Sequence, residues 1–233
     1  HATVMQGTNH LAATGATQSF TINKKPIVVT ADDQQKTYGS SDPAFSYSTA
    51  PGALESGDSL MDVLCDVAVA HHDAGSYAIS CSGNSNGNYD ASYVAGTLKV
   101  KPHDLHVAAN PQMKVYGSAD PGLTYAVTAT DLQYSDTAGG VLSGTLARAA
   151  GQTVAGSPYA IDKGTLAANS DYTLLFTGAN LTITKAPLTV TAEDKSMLLN
   201  GTVPALTETL TGFQFSETLA SSGVTGTAAC TTS

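Results

Sequence analysis

Apolar residues recur along the chain in short runs with a period of two. Ile27, Val29 and Ala31 alternate with Val28 and Thr30, and Leu188, Val190 and Ala192 alternate with Thr189 and Thr191. In an extended strand, successive side chains point to opposite faces, so each run predicts one buried and one solvent-facing side. The same alternation marks Phe45/Tyr47, Val63/Cys65/Val67/Val69, Tyr77/Ile79/Cys81, Leu98/Val100 and Leu123/Tyr125/Val127. Thr dominates the polar side, which suits a pleated, half-exposed surface. Gly, Pro, Asn, Asp and Ser punctuate the runs at short intervals. No window carries a helical period flanked by caps, and residues 132–136 with their copies predict a single turn at most. Roughly six to eight short strands in about 80 residues predict an all-β, two-sheet sandwich.

The pattern repeats. Tyr38-Gly39-Ser40-Ser41-Asp42-Pro43 returns as Tyr116-Gly117-Ser118-Ala119-Asp120-Pro121, an offset of 78 residues. Residues 27–31 return at 105–109, Tyr47 at Tyr125, and residues 20–22 at 98–100 with the same offset. A third copy opens at Leu188, 83 residues beyond Leu105. Between copies stand Lys24-Lys25-Pro26, Lys101-Pro102 and Lys185-Ala186-Pro187, which predict joints of about four residues. Four segments follow. Residues 1–23 are the closing strands of an upstream domain, 24–101 and 102–185 are complete repeats, and 186–233 are the first half of a third. Each repeat is small and relies on Val, Leu, Ile and Ala, so its core alone is marginal.

Motifs in one order fill the second repeat. They are Leu105/Val107/Ala109, Tyr116/Gly117/Asp120/Pro121, Leu123/Thr124/Tyr125, Leu142/Ser143/Gly144/Thr145, Gly156/Ser157/Pro158/Tyr159/Ile161, Asn169/Asp171/Tyr172/Thr173 and residues 181–187. This series resembles the MBG-type repeat, Tyr-Gly-x subtype, of large bacterial surface proteins and adhesins. Residues 1–23 resemble the end of a bacterial Ig-like domain. The third copy departs from the pattern, with Leu199-Asn200-Gly201 in place of Tyr-Gly and Val203-Pro204 in place of Asp-Pro. The resemblance implies tandem Ig-like β-sandwiches in an extended rod, an extracellular or cell-surface location, and no catalytic residue.

Composition agrees with that class. The 233 residues include 12 % charged and 6 % aromatic residues, no Trp, and a net charge of −9. A nucleic-acid binder wants a basic face with interleaved aromatics, which is the reverse. No apolar run approaches a membrane span. The 42 % of hydrophobic residues, in alternating runs, argue against disorder.

Candidate chemistry is sparse. Cys65 and Cys81 fall on adjacent predicted strands around residues 71–75 and predict a hairpin disulfide, with reduced core thiols or a metal pair as rival readings. Ser143 and Lys163 stand at their places in the second repeat. Cys230 aligns with Cys65 and is unpaired in this segment, its partner expected roughly 16 residues further on. Gly83-Asn84-Ser85-Asn86-Gly87 matches a nucleophile-elbow string but lacks the helix that motif requires. His71-His72, His103 and His106 read as solvated surface histidines, with a metal site at the joint as the alternative reading for His103 and His106. Asp42 and Asp120 fit Asp-Pro turn chemistry without an ion. Tyr38 and Tyr116 read as packed rings, followed by glycines at positive φ in Gly39 and Gly117. No metal site or cofactor is indicated, and the basic joints argue against linker calcium.

The expected partners are neighbouring repeats of the same chain. A host or matrix glycan or protein would be met at a tip outside this segment, and the irregular residues 50–61 with His71-His72 are the place to look for a ligand within it. Incomplete domains at both ends also raise homotypic assembly into a fibre by strand addition.

Overall fold

The computed structural model describes residues 18–226, together with 3–4, 7–9 and 13–14. The chain divides into two units, His1–Lys101 and Pro102–Ser233.

In the first unit, β1 (Thr3–Val4) pairs antiparallel with β2 (Ala13–Thr14). The sandwich then follows: β3 (Lys25–Ala31), β4 (Gln34–Thr37), β5 (Tyr47–Thr49), β6 (Leu64–Asp66), β7 (Gly75–Ser82), β8 (Tyr89–Val94) and β9 (Gly96–Lys101). One sheet has the order β5-β3-β8 and the other β4-β9-β7-β6. Pairings β3–β8 and β4–β9 are parallel, while β3–β5, β9–β7 and β7–β6 are antiparallel. The predicted alternation holds on β3, where Ile27, Val29 and Ala31 are buried and Val28 and Thr30 face out. It holds equally on β9, where Leu98 and Val100 are buried. Ile27, Val29, Leu60 and Tyr89 form a core cluster.

The second unit repeats the plan with β10 (His103–Ala109), β11 (Gln112–Val115), β12 (Tyr125–Val127), β13 (Leu142–Ser143), β14 (Ala147–Arg148), β15 (Tyr159–Asp162), β16 (Ala167–Ala168), β17 (Tyr172–Thr177) and β18 (Ala179–Thr184). Its sheets run β12-β10-β17 and β11-β18-β15-β14, with a small extra sheet β13-β16. The parallel pairings recur as β10–β17 and β11–β18. Ala109, Tyr159, Ile161, Leu181 and Ile183 fill the space between the two sheets. Beyond it, β19 (Thr189–Ala192) pairs antiparallel with β20 (Glu208–Thr211).

Several expectations are corrected. Lys25 and Pro26 lie inside β3 rather than in a joint, because β8 pairs with them in register. Proline is tolerated there because β5 reaches only Val29, Thr30 and Ala31, so Pro26 sits on the open part of the strand. Residues 133–136 close the single turn expected there, and it is flanked by two short helical turns the sequence did not announce, a 3₁₀ turn at Ala129–Asp131 and a one-turn helix α1 at Ala138–Val141. Thr137 caps α1 by accepting from the Gly140 amide. The alternation on β19 buries nothing: all four of its residues are exposed.

The counterpart of Cys65 also differs from the sequence alignment. Cys65 pairs with Cys81 across β6–β7. In the second repeat Ala147 pairs with Asp162, so continuing that register by one residue sets Leu146, not Ser143, opposite Lys163. Ser143 pairs with Ala167 instead, because the β13–β16 ladder takes up that stretch of chain.

Candidate functional site

The Tyr-Gly-x-x-Asp-Pro segment links β4 to β5 in the first repeat and β11 to β12 in the second. Each begins as a tight turn, closed by Ser40 N–H donating to Thr37 O at 3.0 Å and by Ser118 N–H donating to Val115 O at 3.0 Å. The third turn residue needs φ > 0, which glycine meets without strain. Gly39 has φ +85° and Gly117 φ +89°. Tyr38 is buried and Tyr116 packs against the second core cluster.

The aspartates do more than shape a turn. Asp42 accepts from Lys36 Nζ at 2.6 Å and pairs with His71 Nε2 at 2.7 Å. Asp120 accepts from Lys114 Nζ at 2.7 Å and from Arg148 Nε at 2.7 Å. Lys36 and Lys114 occupy the same place on β4 and β11, with side chains 6 % and 3 % exposed. A buried ammonium is costly unless its donors are satisfied. Lys114 satisfies all three, using Asp120, Ser118 O at 3.1 Å and Gln152 Oε1 at 2.5 Å. The Lys36 ammonium, then the His71 ring, hold the Asp42 carboxyl below its usual range. Arg148, then Lys114, do the same for Asp120.

The second cation occupies one place in both repeats. His71 stands edge-on to Tyr77 with ring centroids 6.0 Å apart, and Arg148 lies over the ring of Tyr159 at 5.6 Å. Tyr77 pairs with Leu98 and Tyr159 with Leu181, which are equivalent registers. Arg148 also donates to Ala149 O at 2.7 Å and Gly151 O at 2.6 Å. His71 Nδ1 faces Val69 O at 2.7 Å. With a carbonyl on one ring nitrogen and a carboxylate on the other, only the protonated ring donates to both. The Val69 carbonyl first, and Asp42 next, raise the His71 pKa above its ordinary value.

A second polar lock ties a tyrosine to an acidic turn. Tyr89 Oη donates to Asp58 Oδ2 at 2.7 Å and accepts from Glu55 N–H at 2.9 Å. Tyr172 Oη donates to Asp136 Oδ2 at 2.7 Å and accepts from Gln133 N–H at 2.8 Å. Asp58 N–H closes one turn on Glu55 O and Asp136 N–H the other on Gln133 O, both at 3.0 Å. Burial, opposed by the Gln133 amide and reinforced by Asp136, pushes the Tyr172 phenol up to about 12. Part of the stretch read as irregular, residues 50–61, thus holds a turn with the same place and hydrogen bonds as that at residues 133–136. The relation is visible in sequence as Leu54/Asp58 against Leu132/Asp136, with the 78-residue offset.

The histidines are not simply solvated. His71 is taken by Asp42, His103 lies edge-on to Tyr172 at 6.4 Å and accepts from Gln133 Nε2 at 3.2 Å, and His106 Nδ1 pairs with Asp131 at 2.8 Å. His72 is exposed. Among the described residues no group of three or more His, Cys, Asp or Glu is placed to hold a metal. Cys65 and Cys81 form a disulfide across β6–β7, with Cα atoms 4.0 Å apart. Cys230 lies outside the described residues. Residues 83–87 form the loop between β7 and β8, without a helix after it. Pro43 and Pro121 are half-buried beside their aspartates.

The profile of the MBG domain (YGX type) matches residues 27–99 and again residues 105–182. The chain belongs to that family. A search of curated proteins finds no match. The two matched segments are the two sandwiches, and the Tyr-Gly turn that carries the charged cluster lies within each. MBG domains are repeat modules of a non-enzymatic type found in surface proteins, which fits a structural or adhesin-like role. No helix among the described residues is long and apolar enough to cross a membrane.

Proposed function

We propose that this tandem MBG array is a non-catalytic spacer in an extracellular, cell-surface adhesin-like protein, holding an adhesive region away from the cell. The observation that carries this reading is the internal use of polar chemistry. In both repeats the Lys–Asp–cation cluster and the Tyr–Asp lock spend their hydrogen bonds within the repeat. Such groups stabilise a small sandwich whose apolar core is limited. The stretch considered for a ligand, residues 50–61, commits Asp58 to Tyr89 and Glu55 to Lys25 at 2.7 Å. The same holds for His71.

Small-angle scattering of the 233-residue chain tests the reading. A compact globule of this length has a radius of gyration of about 17 Å. The spacer predicts a value well above that and a pair-distance distribution with a long tail. A value near the globular figure overturns it. In this reading residues 1–23 and 186–233 belong to neighbouring domains of the same array.

A further inference from the structure

The bare Gly117 backbone also leaves room for a neighbouring side chain. A Cβ built on Gly117 would fall inside the side chain of Gln214, 2.5 Å from its Cγ. Gln214 belongs to the segment that follows the second sandwich, across the Lys185-Ala186-Pro187 joint. Next to it, Phe215 packs edge-on against Tyr116, with centroids 5.3 Å apart and planes at 78°. Tyr116 Oη donates to Glu217 Oε1 at 2.8 Å. So three residues of the following segment, Gln214, Phe215 and Glu217, land on two residues of the Tyr-Gly turn.

Residues 214–217 form a turn of a kind already met. Glu217 N–H donates to Gln214 O at 2.9 Å, as Asp136 does to Gln133 O and Asp58 to Glu55 O. Gln133-Tyr134-Ser135-Asp136 and Gln214-Phe215-Ser216-Glu217 also match in residue type. Tyr134 has φ +52° and Phe215 φ +49°, so the first central residue matches in backbone, while Ser216, at φ +62°, departs from Ser135. In the second repeat this turn is held by a phenol from its own sandwich, Tyr172. At residues 214–217 the phenol comes from the preceding sandwich. Glutamate is one methylene longer than aspartate, and a carboxylate accepts from more than one donor.

We propose that the Tyr116-Gly117 turn is a docking socket for the repeat that follows, which seats its 214–217 turn there. The socket offers an aromatic face, a phenol donor and a bare backbone position. The incoming turn offers Phe215, the Glu217 carboxylate and the Gln214 side chain. A joint of four residues, 185–188, leaves several soft backbone torsions, of which Pro187 fixes only one. Contacts on the far side of the hinge remove freedom that the joint leaves. This deepens the spacer reading, on which its biological use rests, by naming the contact that would make a joint stiff. The Glu217 carboxylate also raises the Tyr116 phenol above its ordinary pKa, consistent with a shared proton donor that is held in place.

Residual dipolar couplings of the weakly aligned 233-residue chain test the socket. Amides of residues 105–184 and of residues 189–211 should fit one alignment tensor. In the double variant Phe215→Ala/Glu217→Ala, the tensor of residues 189–211 should fall at least two-fold relative to that of 105–184. Phe215 is 60 % exposed, so its loss removes little of any core. Tyr116→Phe keeps the ring and removes only the phenol; it should give an intermediate fall, and it decides the matter if the double variant loses β19–β20. Two unrelated tensors in the native chain, or variants that leave a shared tensor intact, overturn the socket. A flexible joint in a long particle would sink the socket and leave the spacer reading standing. A docked joint in a compact particle would do the reverse.

Discussion

The two complete repeats share one topology, and both place a buried lysine and an aspartate at the Tyr-Gly turn. They differ in what completes the cluster. The first repeat uses His71 beside Tyr77 and adds the Cys65–Cys81 disulfide. The second uses Arg148 over Tyr159 and has no cysteine at either place. Lys and Asp are fixed by burial: once the ammonium is inside, a carboxylate must meet it. The second cation sits further out, where either a guanidinium or an imidazolium fills the position. The difference teaches that one scaffold can hold a permanent charge in one copy and a titrating one in the next.

That contrast can be broken in four ways, from the largest expected effect to the smallest. Replacing both Cys65 and Cys81 by Ala removes a cross-link over 16 residues. Chain entropy assigns such a loop about 3 kcal/mol. Native-state hydrogen exchange should show that loss in β9 and none in β18. Equal losses in both would show that the repeats do not unfold independently.

Asp120→Ala strands the buried Lys114 and releases Arg148. The full penalty for an unpaired buried charge is discounted here because the Asp120 side chain is 39 % exposed. About 2 kcal/mol should be lost from β18, with β9 unchanged. Tyr172→Phe leaves the Gln133 amide and Asp136 without their phenol, and should cost the second repeat about 1–2 kcal/mol. Thermal unfolding followed by exchange at β17 measures it; no change would mean that water replaces the phenol.

The smallest effect is a pH slope. His71 is raised in the folded repeat, so its contribution is complete below about pH 6.5, the unfolded value, and is lost as pH rises through the folded value. Asp42 is lowered, so its contribution is present above about pH 4 and is lost as pH falls through its folded value. Between these limits the first repeat is at its most stable. Arg148 stays charged throughout. Exchange in β9 should therefore speed up relative to β18 from pH 6 to 9 beyond the intrinsic rate. His71→Arg should abolish the difference, and a slope that survives this substitution would remove His71 as its source.

Much of the architecture was legible in the chain. Ile27/Val29/Ala31 and Leu98/Val100 announce their buried faces because alternation is a local property of strands. Tyr38-Gly39 announces a turn because only glycine takes that φ without strain. The same logic failed for Leu188/Val190/Ala192, where the alternation is present and β19 is exposed on both faces. Alternation states which side chains could be buried together, and a second sheet has to be there to bury them. The Leu146 register was also hidden, since ladders are set by pairing and an inserted β13–β16 shifts every later position.

The chain by itself determined a strand-rich module, its copying in tandem, and the places where the backbone must turn. These follow from neighbours in sequence, through side-chain period and φ preference. Only the tertiary structure decided that strands of one repeat pair in parallel across sixty residues or more, as Lys25 does with Tyr89. It alone brought His71 to Asp42, 29 residues away, and it alone set Glu217 against Tyr116. Those meetings depend on long-range closure of two sheets, and no short window of sequence contains both partners.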